Sequence, residues 1–195
     1  GEKIETDEWP VGLPDANVPT ETSRTTPGGA RSPRRKKRVW RMPQSTNGSR
    51  LPPGFFRWAA ELGIQAADAL EHAHQVGVVH RDIKPSNLIV DPKGHLWITD
   101  FGLAMTAQAA HLTATGDLLG TIQYMSPEQA SGRHRILDHR TDLYSLGATL
   151  YELITLQPAF AGGSSHDMPR RILEEEPRAP RTINRAIPLD LETIV

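Results

Sequence analysis

The chain contains no cysteine, which excludes disulfides and cysteine-ligated metal sites. No apolar run approaches the roughly eighteen residues needed to span a bilayer. The start, Gly1-Glu2-Lys3, lacks an initiator methionine and the basic-then-apolar order of a secretory signal. No internal repeat is present. These absences lead us to expect a soluble, cytoplasmic chain cut from something longer, and 195 residues allow one domain plus a tail. Neither sign of charge dominates, since the formal net is −1, yet the balance is uneven along the chain. Residues 1–54 carry ten Lys/Arg against six Asp/Glu, a net of +4, and residues 55–195 carry twelve against seventeen, a net of −5.

Residues 1–54 hold eight of the sixteen prolines and six of the sixteen glycines, with neither helical nor strand periodicity. Such a segment buries too little apolar surface to offset its ordering entropy, so a disordered linker is expected. Seven of the eleven residues from Arg31 to Arg41 are basic. A nucleic-acid or anionic-membrane patch would need more interleaved aromatics than Trp40 alone. The run therefore reads as a solvated basic linker, with no nucleic-acid partner.

At Leu51-Pro52-Pro53-Gly54 the composition changes. Phe55, Ala59, Leu62, Ala66, Leu70 and Ala73 follow steps of four and three, which predicts an amphipathic helix with Gly77 as its C-terminal stop. His72 and His74 stand two apart, on different faces of that helix, and so do not read as a metal pair. Leu88-Ile89-Val90 and Leu96-Trp97-Ile98 flank Asp91-Pro92-Lys93-Gly94, the signature of a β-hairpin. A hairpin centred there sets Asn87 roughly opposite Ile98 and brings Asn87 and Asp100 out at the same open end, with Asp82 just before it.

Residues 103–125 are polar and weakly patterned and are expected to form a long loop. Thr141 to Thr155 is apolar nearly all round, which predicts a helix buried on all sides. Met168 to Glu176 suggests a shorter helix, and Pro188 to Val195 the start of another.

The chemistry-bearing residues are concentrated. His80-Arg81-Asp82-Ile83-Lys84-Pro85-Ser86-Asn87 and Asp100-Phe101-Gly102 put a carboxylate, an ammonium and two oxygen ligands within about twenty residues. Phosphoryl transfer depends on positioning and charge neutralisation more than on covalent chemistry. Asp82 suits the acceptor of a hydroxyl proton, and Lys84 can face a transferred phosphoryl group. Asn87 and Asp100 offer the hard oxygens that magnesium prefers. Gly102 permits a tight turn after the apolar Phe101.

This set resembles the catalytic loop and metal-binding motif of protein kinases. Val78 to Val90 matches the family pattern at every defined position, and Lys84 resembles the serine/threonine class. Gly120-Thr121 and Tyr124-Met125-Ser126-Pro127-Glu128-Gln129 resemble the substrate-docking segment of bacterial, eukaryotic-like (Hanks-type) kinases. Asp142-Leu143-Tyr144-Ser145-Leu146-Gly147 resembles the central helix of the family's C-terminal lobe. The resemblance covers about residues 55–195. It implies an α+β, mainly α, lobe with a short hairpin, preceded by the linker. It implies ATP and Mg2+ as cofactors and proteins with Ser/Thr acceptors as substrates.

Position by position, it implies Asp82 as catalytic base and Lys84 as the γ-phosphate contact. Asn87 and Asp100 become the metal ligands. Thr121 braces Asp82 and Lys84, and His80 packs under the Asp-Phe-Gly turn. Asp142 bonds the catalytic-loop backbone from below; on the residues alone, the same carboxylate reads as a helix N-terminal acid. Arg81 pairs with a phosphorylated loop residue, for which Thr113 and Thr115 are the candidates. Glu128 pairs with an arginine farther along than Arg185.

Residues 1–54 contain no G-x-G-x-x-G and no Val-Ala-Ile-Lys-like strand, the parts that hold ATP from above in the family. The expectation is a piece of a longer kinase or a truncated gene product. The alternative activity is that of a catalytically inactive, kinase-like lobe that binds proteins.

Overall fold

The periodic stretch after Gly54 folds as α1, Phe55–Gln75, in a computed structural model that describes residues 51–101, 117–132 and 137–195. For 117–119 it describes the backbone alone. All but four residues of the expected linker 1–54 lie outside the described residues, as do Thr113 and Thr115. The six apolar positions picked out by their spacing are buried, joined by Gly63. Gly63 sits where α1 meets the central helix: a Cβ there would stand 3.1 Å from Leu150 Cδ1. Gly77 ends α1 with φ +79, its N–H on His74 O at 2.9 Å and the Val78 N–H on Ala73 O at 2.9 Å. This paired closure needs a left-handed residue, which glycine supplies without strain.

A 3-10 turn, Pro85–Asn87, leads into β1, Leu88–Val90, which pairs antiparallel with β2, Leu96–Ile98. The register is Leu88↔Ile98, so Asn87 faces Thr99 and not Ile98. The turn is one residue longer than the sequence suggested. Asp91 N bonds His95 O at 2.9 Å, while the Asp91 side chain takes the N–H groups of Lys93 and His95 at 2.8 and 3.0 Å. Those N–H donors hold the Asp91 carboxyl below its usual range against the upward push of burial.

The expected loop 103–125 ends instead in a helix, α2, Asp117–Ile122; residues 102–116 lie outside the described residues. A one-turn α3, Pro127–Ala130, follows. Ser126 Oγ accepts from Gln129 N and Gln129 Oε1 accepts from Ser126 N, a reciprocal cap that satisfies two otherwise free donors. The central helix α4, Arg140–Thr155, is not buried on all sides as its composition suggested. Leu143 is 50% exposed, whereas Ser145, Thr149 and Thr155 are buried and donate their hydroxyls back to the carbonyls four residues earlier. Such local bonds let small polar residues sit in a helix core. The chain closes with α5, Met168–Glu174, α6, Pro180–Ile183, and α7, Leu189–Ile194, of which α6 was not foreseen.

All described residues belong to one compact unit, mainly helical with one two-stranded sheet. Its core has three clusters. Phe55, Ala59, Leu62, Leu153, Ile154 and Ile187 join α1, α4 and the C-terminal turn. Ala66, Leu70, Ile83 and Leu146 lie beneath the loop that carries Asp82. Ile122, Phe160, Met168 and Ile172 form the third. Ile83 is 1% exposed, so the residue between Asp82 and Lys84 acts as an apolar peg that drives its two polar neighbours toward the surface.

Candidate active site

The loop between α1 and β1 is held from below by α4. Asp142, 0% exposed, accepts from His80 N at 2.8 Å and from Arg81 N at 2.6 Å. His74 Nε2 donates to the same carboxylate at 2.8 Å. This leaves His74 in a structural bond, in keeping with reading it as no metal ligand. Arg81 adopts φ +67, and its carbonyl accepts from Gln129 Nε2 at 2.8 Å. A strained left-handed residue is thus held by a bond on each side of its Cα. His80 is 0% exposed: Asp82 N donates to its Nδ1 at 3.2 Å, so Nε2 carries the proton and donates to Thr99 O at 2.8 Å. The imidazole therefore joins the loop to the end of β2. Its ring meets that of Phe101 edge-on, with centroids 4.6 Å apart.

On this base the side chains converge. Lys84 Nζ lies 2.9 Å from Asp82 Oδ2 and donates to Thr121 Oγ1 at 3.0 Å. Asn87 Nδ2 donates to Asp82 O at 2.8 Å and to Asp82 Oδ2 at 3.1 Å. Both contacts to the Asp82 carboxylate, from Lys84 and from Asn87, use Oδ2. Thr99 Oγ1 lies 3.2 Å from Asn87 O and 3.3 Å from Asp100 Oδ2, so one hydroxyl spans the two ends of the hairpin. Asp100 adopts φ +64, a conformation that aspartate tolerates better than most residues.

The donor set suits a hard cation. Asn87, itself buried, commits its NH2 to Asp82 while its Oδ1 accepts from Ser86 Oγ at 3.4 Å, and Asp100 adds an exposed carboxylate that Thr99 Oγ1 links to the Asn87 backbone carbonyl. One carboxylate and one amide oxygen are what magnesium takes from a protein when phosphates and water complete its shell. Among the described residues no three His, Cys, Asp or Glu side chains gather into a metal cage.

Residues 124–129 are anchored beside this cluster. Ser126 Oγ lies 2.6 Å from Thr141 Oγ1, which in turn donates to Glu128 Oε1 at 3.3 Å. The Tyr124 hydroxyl donates to Glu152. Burial, reinforced by that carboxylate, pushes the Tyr124 phenol up, and burial likewise pushes the Glu152 carboxyl up against the opposing Tyr124 bond. Arg81 Nε is buried without a hydrogen-bond partner among the described residues. The structural bonds of His74 and Gln129 were not foreseen from the sequence. Gln129 had a legible signal, since Ser126-x-x-Gln129 is a capping box, but its bond to Arg81 spans 48 residues; the His74–Asp142 bond spans 68.

A protein kinase domain family model matches residues 57–190. The chain is 40% identical over 137 residues to a probable serine/threonine-protein kinase of Clostridium perfringens, covering 70% of this chain and 20% of that protein. It is 38% identical over 146 residues to the serine/threonine-protein kinase PknB of Mycobacterium leprae, covering 74% and 23%. With the serine/threonine-protein kinase PrkC of Bacillus subtilis the identity is 37% over 137 residues, covering 70% and 21%. The chain thus spans about a fifth of the length of the curated relatives it matches.

Proposed function

Because this chain belongs to the protein kinase domain family, we propose that it supplies the catalytic-loop half of a serine/threonine kinase that moves the γ-phosphate of ATP to protein hydroxyls. The observation that carries the reading is the cluster of Asp82, Lys84, Asn87 and Thr121, with Lys84 Nζ 2.9 Å from Asp82 Oδ2 and 3.0 Å from Thr121 Oγ1. Asp82 Oδ1 orients the acceptor hydroxyl and takes its proton. Lys84 turns its ammonium to the transferred phosphoryl group, while Thr121 and Asn87 fix Lys84 and Asp82. Asn87 Oδ1 and the Asp100 carboxylate hold the metal. A magnesium ion held there with ATP would supply charge neutralisation at the phosphates. ATP as donor fits a cytoplasmic site, and no helix among the described residues is long and apolar enough to cross a membrane.

Arg81 supports a regulatory reading of the same loop. Its buried Nε, without a hydrogen-bond partner among the described residues, suits a phosphate, and Thr113 or Thr115 would bring one. Phosphopeptide mapping tests this: an active preparation with both threonines unmodified refutes it.

A second reading, a protein-binding lobe without catalysis, is favoured by the lack of a glycine-rich loop and a strand lysine in residues 1–54. The two separate in a Mg2+–ATP transfer assay. A longer form carrying those parts is expected to phosphorylate protein, and Asp82→Asn to lower its rate by about 10²–10⁴-fold. The 195-residue chain alone is expected to transfer little. An unchanged rate in the longer Asp82→Asn form overturns the assigned mechanism.

A further inference from the structure

Two strands of three residues each are too short to hold a shape alone, yet the open end of this hairpin carries Asn87 and Asp100. Something outside the ribbon must set its pitch. Asp91 N bonds His95 O at 2.9 Å and Thr99 N bonds Asn87 O at 2.9 Å. The alternation of an antiparallel pair then makes Val90↔Leu96 a pair without mutual hydrogen bonds, so the Leu96 N–H points off the free edge of β2.

Gln65 of α1 meets that edge. Leu96 N donates to Gln65 Oε1 at 2.9 Å, and Gln65 Nε2 donates to Gly94 O at 3.1 Å. One carboxamide accepts from residue 96 and donates to residue 94, the pattern that a parallel strand makes around the residue between them. The turn of α1 that carries Gln65 is anchored by Leu62 and Ala66, 4% and 1% exposed in the core.

We infer that Gln65 is a positioning residue for the metal pair. It stands in for a third strand, ties the hairpin to α1, and so fixes where Asn87 and Asp100 emerge. The inference rests on the reading of those two side chains as magnesium ligands. A side chain that only satisfied two backbone groups would add stability and leave metal affinity alone.

The test is a titration of the 195-residue chain with Mn2+, followed by paramagnetic broadening of the Leu88, Thr99 and Asp100 amide signals. Local broadening in the wild type should vanish in Asp100→Asn. Gln65→Met keeps the stem and removes both bonds; it should weaken apparent Mn2+ affinity at these signals by about 5-fold, the scale on which a residue touching neither the ligand nor its holders modulates a site. Gln65→Glu, which keeps the acceptor for Leu96 N, should lose less and serves if the methionine variant does not fold. Tyr151→Phe, which removes a bond to Arg178 O away from the hairpin, should lower the melting temperature and leave Mn2+ affinity unchanged. Wild-type affinity in both folded Gln65 variants, with Asp100→Asn still abolishing broadening, overturns the inference and spares the site. Broadening that is absent, or that survives Asp100→Asn, sinks the metal reading, and this inference with it.

Discussion

At the scale of single residues, Asp142 carries the largest consequence. A fully buried carboxylate is costly unless its oxygens are paired, and here three N–H donors meet it, two from the backbone of His80 and Arg81 and one from His74. Asp142→Asn turns one acceptor oxygen into a donor that faces those N–H groups. We expect a loss of about 1–3 kcal/mol in urea unfolding, together with a fall in phosphate transfer in a longer form. An unchanged midpoint would mean the loop is held by other means. Asp82, Lys84, Asn87, Asp100 and Asp142 were legible because each sits at a fixed offset in a short motif. The donors that complete the arrangement were not, because their partners lie far along the chain. Nothing near His74 announces a carboxylate on the opposite helix, and nothing near Gln65 announces the unpaired edge of a strand.

Among the elements, α1 was the most readable, since its buried face repeats with helical spacing and Gly77 marks its stop. That stop gives a clean test. Gly77→Ala forces a Cβ into φ +79 and should cost about 1 kcal/mol. Gly77→Asn should cost less, because asparagine tolerates that region. Thermal unfolding of the three proteins checks the order, and an alanine variant as stable as wild type would refute it. The hairpin was legible as a hairpin but not in register. Its turn residues marked the loop, while the pair count depended on how the Asp91 side chain spends its acceptors. For α4 the apolar run was visible, but not its exposure. Burial there is decided by what packs against each face, so Ser145 and Thr149 lie inside while Leu143 faces out. In α2, Asp117–Ile122, no amphipathic pattern long enough to read was present.

Across the whole molecule, α4 touches all three core clusters, through Leu153 and Ile154, through Leu146, and through Tyr144. All three tyrosines of the chain flank or belong to this framework, and each phenol is pushed above its ordinary value of 10.0, chiefly by burial. Glu152 adds to the effect at Tyr124 and Glu128 at Tyr144, while Arg178 opposes it at Tyr151. A folded value above the unfolded one means that the folded state keeps protons which the unfolded chain releases. The stability these groups contribute is therefore whole below pH 10.0 and is lost as pH rises beyond it. For a phenol that stays protonated in the fold, the slope is about 1.4 kcal/mol per pH unit. We expect Tyr124→Phe to flatten the alkaline fall of the urea midpoint; an equally steep fall would show that Tyr124 ionises freely. One more consequence follows from the way α4 grips the loop before β1. Asp142 and Gln129 take hold of Arg81 by its peptide groups and not by its guanidinium. Placement of the chemistry is therefore inherited from the backbone, and the side chain at position 81 can be exchanged for any unbranched one that accepts a left-handed turn. On the proposed reading of Arg81 as a phosphate partner, a substitution there would alter that pairing without moving the aspartate next to it.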